Sequence, residues 1–258
     1  MRLMKRILSA AAVLALSASL LVGCSSGTAS SVPVSASSAA ESTVSSVEET
    51  ASSAVDENEA AAAQLLNDLT GSYQELWPVI LADKYQQTWL DDCTALVGEE
   101  NAEAAFEKLS SMVTSDVYGE DAVEAYANGG GAYFCGFTNS LAILTFDGET
   151  STISGTDKDG NVLFSHTYHY IGMEPVHELY EFESDDADSG EFTYFFLAPD
   201  TSAETYHIEF RYGSDAEALS QYDAGEYAYW VASGISTDCD QTMIDNCIEL
   251  FCTENLAG

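Results

Sequence analysis

Apolar and polar positions alternate most regularly between Glu191 and Asp215. Phe192 to Leu197 is an aromatic run, Ala198 to Glu204 carries turn chemistry, and Thr205 to Tyr212 alternates residue by residue. Side chains on a strand repeat every second residue. Thr205, His207, Glu209 and Arg211 therefore share one face, while Tyr206, Ile208, Phe210 and Tyr212 share the other. The second face is wholly apolar or aromatic. The first gathers an imidazole, a carboxylate and a guanidinium, and is the place to look for function.

The same alternation begins after Gly129-Gly130-Gly131. It predicts six strands, at Phe134–Phe137, Leu141–Phe146, Val162–Tyr170, Leu179–Phe182, Phe192–Leu197 and Thr205–Tyr212, separated by Asn/Asp/Gly/Ser turns. Before them, Asp56 to Ala127 reads helical. Leu65, Leu66 and Leu69 make a first apolar face, Gly71 stops it, and Leu76, Trp77, Ile80 and Leu81 form another. Asn101–Met112 and Tyr118–Tyr126 add two more helices. Gln221 to Ile235 is rich in Tyr and Trp but irregular, and a last helix runs from about Cys239 to Asn255 with Thr237 or Asp238 as N-cap. Short antiparallel strands at this spacing predict a barrel or sandwich, mainly β, preceded by helices and closed by one.

The N-terminus changes the picture. Arg2, Lys5 and Arg6 precede an apolar stretch from Ile7 to Val22, the pattern of an export signal. Leu21-Val22-Gly23-Cys24 resembles a bacterial lipobox, which implies cleavage after residue 23 and a lipid on Cys24. Residues 24–55 are nearly all Ser, Ala, Thr, Val and Glu and cannot bury enough apolar area to offset ordering entropy. The expected organisation is a signal peptide over 1–23, a lipidated Cys with a disordered tether over 24–55, and one domain over 56–258. The expected location is the cell membrane, lipid-anchored and facing outside the cytoplasm.

Loss of the signal would leave Lys84, Lys108, Lys158 and Arg211 as the basic residues against 43 Asp and Glu. Such a surface repels phosphate backbones and anionic lipid, which argues against nucleic acid and leaves membrane attachment to the anchor. It attracts divalent cations. Cys93, Cys135, Cys239, Cys247 and Cys252 contain no CxxC pair. They read as buried small hydrophobes with room for one disulfide whose partners the sequence does not assign.

The domain resembles the ZinT family (also called YodA) over roughly Asn67 to Asn255. The resemblance rests on several stretches in order: Gly71-x-Tyr73-Gln74-x-x-Trp77-Pro78, Tyr168-His169-Tyr170-Ile171-Gly172, Leu179-Tyr180-Glu181-Phe182-Glu183, Ala198-Pro199, Tyr206-His207-Ile208 and Gly213-Ser214-Asp215. It implies a lipocalin-like (calycin) antiparallel barrel, binding of zinc or cadmium, and a part in metal uptake beside transporter components. The family places one His three residues before its Ala-Pro and a His-aromatic-His pair on the next strand. Here those positions are Phe195, Thr205 and His207, so one of the three is kept.

Two readings of the polar face follow. His207 and Glu209 could be ligands of a degenerate zinc site, for which a mix of imidazole and carboxylate is suitable. Alternatively His207 is a barrel-interior histidine held by protein, Glu209 pairs with Arg211 or a lysine, and the aromatic barrel takes a small organic ligand. His166 and His169, three apart, face opposite sides of a strand, with His169 outside, and His177 in its turn reads as solvated. Asp157 to Gly160 and Asp185 to Gly190 read as acidic turns, because neither has EF-hand spacing. No nucleophile, phosphate-loop or HExxH motif occurs, so a binding protein rather than an enzyme is expected.

Overall fold

Eight strands close into one antiparallel barrel in chain order, each pairing with the next and the last returning to the first. The computed structural model describes residues 57–114, 116–198 and 207–256. A helix, α1, covers residues 57–68. Strand β1 (Gly71–Glu75) leads directly into α2 (Leu76–Ile80), followed by α3 (Gln86–Val97), α4 (Glu99–Met112) and α5 (Glu120–Ala127). The remaining strands are β2 (Ile143–Asp147), β3 (Thr152–Thr156), β4 (Val162–Met173), β5 (Tyr180–Ser184), β6 (Tyr194–Leu197), β7 (His207–Gly213) and β8 (Ala232–Ser236). A short α6 (Ala216–Leu219) follows β7. After β8, α7 (Gln241–Leu256) packs chiefly on α3, with α2 and α4 beside it.

The predicted helices over the third and fourth apolar runs form with small shifts at their ends, as does the C-terminal helix. Its cap is Asp240, whose carboxylate accepts from the Met243 N–H at 3.0 Å, rather than Thr237 or Asp238. Ile244, Cys247, Ile248, Phe251 and Cys252 are its buried residues, at the three- and four-residue spacing of one helix face. The junction of α3 and α4 is a single residue, Gly98, at φ +84°, a conformation that side chains resist.

Three strands escape the alternation rule. Gly71–Glu75 lies inside the stretch with helical character, Thr152–Thr156 lies between two expected strands, and Ala232–Ser236 falls in the irregular Tyr/Trp-rich stretch. Small inward residues explain the last two. A Cβ on Gly155 would meet Leu141 and Phe164 at 2.4 Å, and one on Gly234 would meet Ile208 at 3.0 Å. These strands make room for side chains carried by others and so show little apolar signal of their own. Conversely, Phe134–Phe137 is an extended segment bridged to the residues that lead into β8 and to its start, with Val231 N–H donating to Phe134 O at 3.1 Å and Ser233 N–H to Cys135 O at 2.9 Å.

The register assigns the two faces of β7. Phe210 lies opposite Leu197 and Ala232, Tyr212 opposite Phe195, and Phe195 opposite Phe182. Phe164 and Tyr168 of β4 reach Phe195 of β6 across the intervening β5, at ring separations of 5.9 and 5.4 Å. Only side chains pointing into the barrel can do this. The aromatic face of β7 therefore fills the barrel, and its polar face turns outward.

Candidate functional site

The outward face of β7 is not a surface. His207, Glu209 and Arg211 are 1%, 2% and 0% exposed. The Cys135 segment and Cys247 of α7 come up against it near Glu209, and the loop after α6 covers it at Arg211. The expectation of a barrel-interior His207 is thereby corrected, because side-chain period and register together place the row between the barrel wall and this outer layer.

Glu209 lies opposite Ser233 of β8 and His207 opposite Ile235. Two thiols share the Glu209 neighbourhood. Burial pushes the Cys135 thiol far up, the Glu209 carboxylate pushes it further, and Ser233 and the Trp77 indole oppose the rise. Burial likewise raises the Cys247 thiol, on α7, to about 12, with Glu209 contributing. Both sulfurs are thus held as thiols. Nothing local in the sequence points to them, since Cys135 arrives from far upstream of Glu209 and Cys247 from a helix beyond it.

Arg211, expected as a partner of Glu209, places its described hydrogen bonds on backbone carbonyls. Its guanidinium donates to the carbonyl oxygens of Leu219 and Tyr227, and to that of Gln221 at 3.2 Å. It also stacks over the Tyr222 ring at 4.3 Å. One cation thereby ties residues 219–227 to the barrel. Burial lowers its proton affinity from the ordinary arginine value.

His177, expected to be solvated, is 7% exposed, and its ring centroid lies 3.7 Å from that of Tyr222. Glu174, fully buried, accepts from the Val176 N–H at 2.9 Å and the His177 N–H at 2.6 Å, with His177 Nδ1 at 3.5 Å. Burial pushes the Glu174 carboxyl up, but the His177 and Val176 hydrogen bonds outweigh it and hold it below the ordinary range. Through Tyr222 this turn comes up against Arg211 of the β7 wall, which sequence proximity alone does not reveal.

The other two histidines behave as their spacing predicts. His166 Nδ1 lies 2.7 Å from Asp186 and its ring stacks beside Phe164, whereas His169 Nδ1 lies 2.7 Å from Asp185 on the exposed side. Asp157 accepts from the N–H groups of Asp159 and Asn161, both at 2.9 Å, which closes a hairpin turn with its own carboxylate. The signal segment, Cys24, the tether and Thr205 lie outside the described residues.

Zinc takes three or four protein donors. Among the described residues no group of three or more His, Cys, Asp or Glu side chains is arranged to hold a metal ion. His207 and Glu209 are two donors on one wall and do not make a closed shell.

A cavity of about 340 Å³ opens beside this wall, lined by Trp77, Pro78, Leu81, Val113 and Phe134, with Glu75 and Asp116 at its polar edge and Cys135 at its inner side. Glu75 Oε1 is engaged by the Phe137 N–H at 2.6 Å.

The fold defines a class: a closed eight-stranded antiparallel barrel with helices before, within and after it. Among solved structures the chain is similar to the Zn(II)-bound ZinT-like domain of AdcA from Streptococcus pneumoniae, at 15% identity over 71% of this chain and 89% of that one, with a TM-score of 0.45. Zn(II)-bound AdcA gives 14% identity, 71% of this chain and a TM-score of 0.40, and this chain spans about a third (34%) of its length. No family model matches, and no curated protein matches. No helix among the described residues is long and apolar enough to cross a membrane.

Proposed function

We propose that the chain is an exported lipoprotein, anchored through Cys24, whose barrel domain binds a divalent cation, zinc foremost, for storage or hand-over to metal-uptake transporter components. The observation that carries the reading is the placement of His207 and Glu209, an imidazole and a carboxylate buried on one face of β7. Two residues apart on one strand, they present an imidazole and a carboxylate on the same side, a mix that suits zinc, and the ZinT-like order of motifs around them points the same way. They are the two donors that this wall supplies, short of the three or four of a closed zinc shell, so the site is an open one. The acidic surface raises the local cation concentration around it.

Zinc titration by calorimetry of the purified protein, beside His207→Ala, tests the proposal. Stoichiometric binding in the wild type that weakens at least about tenfold in the variant is expected, as for loss of one of few ligands. Weak uptake that is equal in both proteins and disappears in salt would sink it. For the anchor, labelling with a fatty acid is expected in the wild type and lost in Cys24→Ala.

The cavity beside Trp77 favours a second reading, a module for a small organic ligand. Its volume and mostly apolar lining fall at the small end of ligand pockets. Its place is outside the barrel, against the Cys135 segment, not the barrel interior. Binding of an aromatic amine that quenches Trp77 fluorescence, unaffected by His207→Ala, would move this reading to the front.

A further inference from the structure

We propose that Cys93 and Cys252 form an oxidisable dithiol that closes to a disulfide clamping α3 to α7. Their sulfurs lie 4.0 Å apart across 159 positions of sequence, and both side chains are fully buried. The helices that carry them are packed tightly around the pair: Trp89 of α3 meets Phe251 of α7 edge-on at 5.6 Å, and its indole N–H is fixed to Ile80 O at 2.7 Å. A disulfide needs sulfurs about 2.05 Å apart. The two sulfurs must therefore approach by about 2 Å as the bond forms. Cys135 and Cys247 belong instead to the Glu209 wall.

The co-reactant is a small-molecule disulfide such as oxidised glutathione. One protein thiolate attacks it, forming a mixed disulfide and expelling one glutathione thiolate. The second protein thiolate then attacks the protein-bound sulfur and expels the other. The two protein thiols are oxidised by two electrons, the small disulfide is reduced to two thiols, and the two protons end on those products. Burial opposes ionisation of both sulfurs, so the reaction proceeds when α3 and α7 part locally and is slow.

The full chain is incubated in oxidised and, separately, in reduced glutathione, alkylated, digested without reduction and mapped by mass spectrometry. A cross-linked peptide joining the Cys93 and Cys252 segments, two hydrogens lighter than the reduced pair, is expected in the oxidised sample only. Thermal unfolding of that sample should rise by roughly 5–10 °C, and the rise should be absent in Cys252→Ser but kept in Cys239→Ser. The mapping on wild-type protein decides the matter even if Cys252→Ser does not fold. Both thiols still alkylatable after prolonged oxidation, or a cross-link made by Cys239 instead, overturns the proposal. The peptide mapping reads the cross-link directly and does not depend on whether zinc binds at His207 and Glu209.

Discussion

The barrel interior and the outer wall of β7 are built from the same strand and obey different rules. Inside, Phe195, Phe210 and Tyr212 stack on one another at 5.4 to 6.3 Å and need only to fill volume. Outside, Arg211 must place its donors on three carbonyls at once, and Glu174 must meet two N–H groups. Apolar packing is non-directional and tolerates exchange. Buried polar networks are directional, so a partner lost leaves another unsatisfied. One strand thus carries a tolerant face and an exacting one.

The largest effect expected from this contrast is at Arg211. Arg211→Lys keeps the charge but loses the planar fork, and urea unfolding should show a loss of about 3 kcal/mol or more. Phe195→Leu, on the other face, should lose only about 1–1.5 kcal/mol. A smaller loss at Arg211 than at Phe195 would break the comparison.

Acid titration sharpens it further. The Glu174 carboxyl is held below its ordinary range, so its contribution is present above the unfolded-state value and is lost as pH falls through the folded one. Glu174→Gln should therefore flatten the acid limb of stability against pH. Between α3 and α7 the sign reverses. Burial, with the nearby charges of Glu249, Asp245 and Asp91, raises Asp92 to about 6. The folded state then holds that proton more tightly than the unfolded chain, and stability falls as pH rises from the ordinary carboxylate value to about 6. Asp92→Asn should gain, after discounting for partial exposure, about 1 kcal/mol at neutral pH and nothing in acid. Thermal unfolding across pH checks both.

Much of the fold was legible because its signals are local. The rings of Phe192 to Leu197 and the alternation of Thr205 to Tyr212 mark β6 and β7 unaided, and the apolar spacing of the last helix marks α7. β3 and β8 were not, because Gly155 and Gly234 are small where other strands are large, and that complementarity exists only after the barrel closes. β1 was hidden because its short strand runs straight into a helix. The candidate site was half legible. The period of two put His207, Glu209 and Arg211 on one face, but not which side of the barrel that face takes.

By itself, the sequence determined the alternating strands, the helices before and after them, the acidic charge and the shared row of polar side chains on β7. These depend on neighbours a few positions apart. Only the tertiary structure decided that the polar row faces out of the barrel and is then buried, that Cys135 and Cys247 share the Glu209 neighbourhood, that His177 lies against Tyr222, and that Cys93 meets Cys252. Each of these brings together residues distant in the chain, and closure of the barrel and docking of α7 are what set their positions.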